Sequence, residues 1–271
     1  SANKRQSTMT GHRIIGLQEW FKSPAGSYLL EWEQAQLDEA VADLFGYHAL
    51  QLGVPELQAL QLNRMPHRWL ATAGPDPRYG VVAFHSDFTA LPFPANSLDL
   101  VILPHALEFS PDPHATLREV ERVLVPEGKV VICGLNPVSL WGLRQRRSRW
   151  YHRAGWGQVF LPEWGDLIGY WRLRDWLRLL SFEVEVGRFG CYRPAVESAD
   201  WLRRFAWMDR VGPRSWPIFG AAYFVVATKR VRGMRLLGAH WKLSTKRSAA
   251  AVPVAQQSHA SVNERNGKET V

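Results

Sequence analysis

Short apolar runs with no polar alternation, separated by helical segments, leave this chain few possible folds. Leu98 to Leu103 is apolar at every position but Asp99, and "GAAYFVVATKR" (220–230) is apolar from Ala221 to Ala227. Such strands are buried on both faces, which requires a sheet with helices on either side. Further strands are expected at 47–53, 67–74, 79–88, within 126–137 after an opening turn, and at "FEVEVGRFG" (182–190). A first helix is expected to end near Gly46, with apolar residues at Leu29, Leu30, Trp32, Leu37, Val41 and Leu44. Others are expected at 55–62, with Pro55 in the first position, at 112–124, with a Leu117, Val120 and Leu124 stripe, and near Asp175–Leu180. This alternation implies an α/β fold built on a mostly parallel sheet.

Composition narrows the class. With 46% hydrophobic and 21% charged residues over 271 positions, the chain has ample material for a core. No uncharged apolar run approaches the ~18 residues of a membrane span. The opening "SANKRQSTMTGHR" lacks the apolar segment of a secretory signal. Cys133 and Cys191 are the only cysteines, which fits a reducing cytoplasm and argues against a disulfide framework or a Cys-rich zinc site. No metal site is expected. The net charge of +8 is uneven: Lys229 onward holds nine Lys/Arg against two Asp/Glu, and the remainder is nearly neutral. The expected organisation is a helical cap (1–46), an α/β domain (47–230) with a Trp/Arg-rich insertion at about 138–165, and a disordered basic tail (231–271).

In open parallel α/β sheets, ligands bind beyond the carboxyl ends of the strands. The residues placed there are Gly53, Ala71 to Gly74, Asp87 and Phe88, Pro104 and His105, and Gly134 to Asn136. "PHALEF" (104–109) is therefore expected at a ligand-binding rim.

Residues 87–137, "DFTALPFPANSLDLVILPHALEFSPDPHATLREVERVLVPEGKVVICGLNP", resemble the second half of a class I S-adenosylmethionine-dependent methyltransferase of the small-molecule type 11 group. The matching elements are Asp87, Leu91-Pro92-Phe93, Asp99 to Val101, His105 to Phe109, Arg122 to Gly128, and Lys129 to Cys133. The closing 220–230 resembles the family's last antiparallel strand. The resemblance runs from about Phe45 to Arg230. It implies a Rossmann-like sheet, mostly parallel with its last strand antiparallel, S-adenosylmethionine as cofactor, and a small or lipid-like methyl acceptor. It also implies cofactor contacts from Gly53, Thr72, Asp87, Phe88, Pro104 and His105, with Asp87 accepting from the adenine amino group.

The chain departs from the family at three places. The glycine-rich turn after the first strand reads "LQLGVPEL", which keeps Gly53 and continues with Val54, Pro55 and Glu56. In the first turn of a helix, Glu56 would suit the helix dipole but repel a bound carboxylate. The second strand ends "WLATAG", with Thr72 where the family has an acidic ribose ligand, and Asp76 as a nearby substitute. Phe109 and Glu127 replace a histidine and a glycine. These departures define the alternative to an enzyme: a degenerate, non-catalytic binding or regulatory module.

Methyl transfer needs in-line placement of the acceptor, and a base only if the acceptor must lose a proton. His105 is the candidate base, and the other reading is a loop-capping histidine. His85 is expected to be structural, His114 exposed, and Asp99 a turn or edge residue. Arg64, His67 and Arg68 in "LNRMPHRW" either line a pocket for an anionic acceptor or form a solvated loop. Arg144, Arg146, Arg147, Arg149 and Arg153 surround Trp150 and Tyr151, and nine of thirteen tryptophans lie between Trp141 and Trp216. That combination suits phosphate, nucleic-acid backbone or an anionic membrane surface. The alternative is a solvated basic hairpin with its tryptophans turned inward.

Overall fold

In the computed structural model, residues 19–74, 82–153, 161, 167–196 and 198–230 are described, apart from the side chains of 149 and 151–153. The expectations for the tail, for Asp76 and for the side chains of Arg149, Tyr151 and Arg153 lie outside these residues. The elements run α1 (Pro24–Ala42), β1 (His48–Leu52), β2 (His67–Thr72), β3 (Phe84–His85), β4 (Leu98–Pro104), α2 (Ala106–Phe109), α3 (Pro113–Val123), β5 (Leu124–Leu135), α4 (Leu140–Arg153), α5 (Tyr170–Leu179), β6 (Phe182–Gly190), α6 (Ala199–Arg204), α7 (Met208–Ser215) and β7 (Ala222–Lys229).

The seven strands form one sheet in the order β3-β2-β1-β4-β5-β7-β6. Pairings from β3 through β5 are parallel, and β7 is antiparallel to both β5 and β6. The apolar runs lie in its middle because each strand there is covered twice. Leu100 and Ile102 face one side, packed with Leu29, Leu37 and Val41 of α1. Val101 and Leu103 face the other, packed with Leu117, Val120 and Val123 of α3 and Leu173 and Leu177 of α5. This two-residue alternation is the pleat itself.

Local chemistry sets the element ends. Ser23 caps α1 by accepting from Gly26 N, and Asp112 caps α3 by accepting from Ala115 N, each contributing about 1 kcal/mol. Asp99 Oδ2 accepts from Tyr47 N and His48 N, both at 2.9 Å, and so ties the start of β1 to β4. Glu127 lies in the left-handed region with φ 64°, at the position where the family has glycine, and its carboxylate pairs with Arg230.

Three expectations need correction. Residues 55–62 form turns and no helix. Of the third strand, expected at 79–88, residues 79–81 lie outside the described residues, and among the described ones Phe84 and His85 pair with β2, through Ala71 and Thr72. Residues 138–153, read as a possible hairpin, contain a fourteen-residue helix.

Candidate functional site

The sheet order reverses direction at β1, whose neighbours are β2 and β4, and the loops after β1, β3 and β4 converge there. Gly53 ends β1 with φ 86°, a conformation that glycine adopts without steric cost. A Cβ at Gly53 would stand 3.6 Å from Pro104 O, 3.8 Å from Ala106 Cβ and 3.9 Å from Phe88 Cε2. Three of the expected cofactor residues, Gly53, Phe88 and Pro104, are therefore brought together around bare backbone. Phe88 is buried and Gly53 partly open.

The loop beyond Gly53 is held by a residue the sequence reading passed over. Gln51 is buried in β1 and turns its amide into the loop. Its Nε2 donates to Val54 O (2.9 Å) and Leu57 O (2.8 Å), and its Oε1 accepts from Ala59 N (3.2 Å). These backbone groups would be paired internally in a helix, and Gln51 takes them instead, which explains the turns at 55–62. Without a helix at Glu56, the argument from a helix dipole has no basis. Val54 and Leu57 of this loop are buried.

The other expected residues are placed as follows. Thr72 Oγ1 lies 2.8 Å from His85 Nδ1 and donates to Gly74 O, so Thr72 and His85 secure each other across β2 and β3. Asp87 is exposed at the rim, and its Oδ1 accepts from Thr89 N (2.9 Å) and Thr89 Oγ1 (2.8 Å). These two bonds fix the carboxylate beside Phe88. His67 begins β2 and stacks on His48 and Trp69 at the opposite end of the strands from the rim. Arg68 donates to Leu60 O and Asn63 O, and so braces the chain entering β2.

His105 does not stand on an open rim. It is buried in a left-handed conformation (φ 53°) between two carboxylates. Nδ1 lies 2.9 Å from Glu108 Oε2, and Nε2 lies 3.1 Å from Glu33 Oε2 on α1. Glu108 Oε1 accepts from Leu135 N at 2.7 Å, so the chain of contacts joins α1, β4 and the end of β5. Burial alone pushes the imidazole down, but the carboxylates of Glu33 and Glu108 outweigh it and hold His105 up at about 10. Burial pushes Glu108 up, against the pull of His105 and the Leu135 amide. At neutral pH His105 is thus held as a cation between Glu33 and Glu108. The sequence signal for Glu33 was its spacing: Leu29, Glu33, Leu37 and Val41 recur every four residues, which puts a carboxylate inside the buried stripe.

A second network secures α1. Tyr28 donates to Asp209 Oδ1, Arg193 Nε donates to Asp209 Oδ2 at 2.8 Å, and the Arg193 guanidinium sits 4.3 Å from the centre of the Tyr28 ring. Of the arginine cluster, Arg144 donates to Ala195 O, and Arg146 and Arg147 are exposed on α4. Among the described residues no group of three or more His, Cys, Asp and Glu is arranged to hold a metal ion. No helix among them is long and apolar enough to cross a membrane.

Residues 49–132 match a protein family described as a methyltransferase domain. The Escherichia coli (strain K12) protein YafS, which is uncharacterized, is 30% identical over 171 residues, covering 61% of this chain and 65% of YafS. The malonyl-[acyl-carrier protein] O-methyltransferase of Halorhodospira halophila is 41% identical over 59 residues, covering 22% of this chain and 20% of that protein. The chain thus spans less than two thirds of the length of these relatives. A solved methyltransferase structure from Thermotoga maritima superposes with a TM-score of 0.53 at 17% identity, covering 79% of this chain and 94% of that one, a likeness of fold.

Proposed function

We propose that this chain, by its sheet order and family match a class I S-adenosylmethionine-dependent methyltransferase, binds its cofactor at the rim around Gly53 and methylates a small or lipid-like acceptor. The observation that carries the reading is the convergence of Phe88, Pro104 and Ala106 on the bare backbone of Gly53. The Halorhodospira relative is named for a malonyl group on an acyl-carrier protein, which supports a small acceptor group.

Bound there, S-adenosylmethionine supplies a sulfonium methyl group open to nucleophilic displacement. The chain contributes placement. Gly53 allows close approach to backbone, Phe88 and the backbone of Pro104 provide apolar and polar walls, and Asp87, steadied by Thr89, offers a carboxylate to the adenine amino group. Thr72 shapes the end of β2 through His85. His105 acts as a positioning residue. Its imidazolium has no lone pair to accept a proton, and both ring nitrogens face carboxylates, so its role is to tie α1 to the end of β4.

A second reading, a binding module without catalysis, is favoured by the buried Val54 and Leu57 in the first loop. Gly53→Val tests the site itself, because the new side chain is strained at φ 86° and occupies the approach. Loss of S-adenosylhomocysteine binding with an unchanged circular dichroism spectrum is expected. Undiminished binding by the variant would move the cofactor away from this rim.

A further inference from the structure

The outer face of α4, the helix that follows the carboxyl end of β5, is aliphatic and basic. Leu140, Leu143 and Arg147 follow one another at helical spacing, with Arg146 beside them. The inner face is occupied: Trp141 Nε1 donates to Arg193 O at 2.8 Å, and Gln145 Oε1 accepts from Leu161 N at 2.8 Å. Leu140 is 49% exposed and Leu143 61%.

The patch extends past the helix. Asn136, just beyond β5, donates through Nδ2 to Ile218 O (2.7 Å) and Gly220 O (3.0 Å), and its Oδ1 accepts from Val138 N (3.1 Å). That amide joins the start of α4 to the turn before β7. Val138 is 60% exposed and Ile218 43%, so aliphatic side chains from two separate segments form one surface. Monomeric proteins rarely leave such contiguous apolar surface without a use for it.

Its charge selects the occupant. Between Glu127 and Glu163 the sequence has no acidic residue and five arginines within 144–153. No carboxylate among the described residues pairs with Arg146 or Arg147. A second copy of the chain would bring like charges together. A nucleic acid would find two exposed rings nearby, Trp150 and Phe219, but Val138, Leu140, Leu143 and Ile218 offer a base nothing on which to stack, and an indole beside arginines equally suits a lipid interface. An anionic lipid surface satisfies both parts: headgroups pair with the guanidiniums, and aliphatic side chains enter the headgroup–acyl boundary.

We infer that the α4 face with Val138 and Ile218 docks on an anionic lipid bilayer surface, placing the rim where a lipid-like acceptor is taken from the membrane. The choice of acceptor source rests on the methyl-transfer reading above; the docking does not.

The test uses the full chain, so that the basic tail contributes equally throughout. Sedimentation with vesicles of phosphatidylglycerol and phosphatidylcholine is compared for the wild type, Arg146→Gln/Arg147→Gln and Leu140→Ser/Leu143→Ser. The charge variant is expected to bind about 10- to 30-fold more weakly at low salt, with a flatter salt dependence. The aliphatic variant is expected to lose about tenfold or more and to keep the wild-type salt dependence. S-adenosylhomocysteine affinity, measured on the same samples, is expected to be unchanged in both. Vesicle binding equal in all three proteins would overturn the inference, as would a preference for RNA or duplex DNA over the vesicles. Failure of the wild type to bind S-adenosylhomocysteine would count against the methyl-transfer reading alone.

Discussion

Glu33 Oε2 and His105 Nε2 lie 3.1 Å apart, with both side chains fully buried, and they join α1 to the end of a strand 72 residues away. Removing Glu33 takes away one of the two carboxyl groups on the buried imidazole and leaves Glu108 in place, so Glu33→Ala is expected to cost about 1.5–3 kcal/mol. Urea unfolding of the variant measures this. A loss below about 1 kcal/mol would mean that α1 is held by its apolar stripe and the Tyr28–Asp209 network without the ion pair.

The same pair gives stability a pH dependence. His105 is raised from its ordinary 6.5 to about 10, so the folded chain holds that proton more tightly than the unfolded chain. The contribution is complete below pH 6.5 and is lost as pH rises through about 10. Glu108, raised by burial, acts in the same direction. Unfolding free energy is expected to fall across that window, and to fall less steeply in Glu33→Gln. A flat profile in the wild type would contradict the charged state assigned to His105.

Gln51→Ala should release the loop after β1. It removes the Gln51 partners of Leu57 O and Ala59 N and one of two donors to Val54 O, which keeps Leu57 N, at an expected cost of about 2–4 kcal/mol. Amide hydrogen exchange across 54–60 is expected to accelerate more than exchange in β4. Uniform acceleration would indicate a global loss of stability rather than a local pin.

Asp87→Ala should act on binding and spare the fold. Asp87 is exposed, so the melting temperature is expected to shift little, while cofactor affinity weakens by about 1–3 kcal/mol through the lost partner of the adenine amino group. Titration with S-adenosylhomocysteine measures it, and unchanged affinity would remove Asp87 from the site.

Much of the fold was legible because burial on both faces writes itself into composition. Leu98–Leu103 and Ala221–Ala227 have no polar face to show, and both are central strands. The turns at 55–62 were not legible: the segment, with Pro55 in front, reads as a short helix, but the decisive group, the Gln51 amide, lies in the preceding strand. His105 was rightly assigned to the end of β4. Its burial was invisible because the group that buries it, Glu33, comes from an element read for its apolar face alone. Pairings between distant segments leave no local pattern, and the site's electrostatics are made of such pairings. Only the four-residue recurrence of Leu29, Glu33, Leu37 and Val41 carried a trace of one.

The central claim is that the rim around Gly53 binds S-adenosylmethionine despite the altered loop that follows it. Calorimetric titration of the full chain with S-adenosylhomocysteine tests this most directly. A saturable one-to-one heat in the wild type, absent in Gly53→Val, is expected. No measurable heat from the wild type up to millimolar ligand would contradict it and leave the chain a methyltransferase fold used for binding something else.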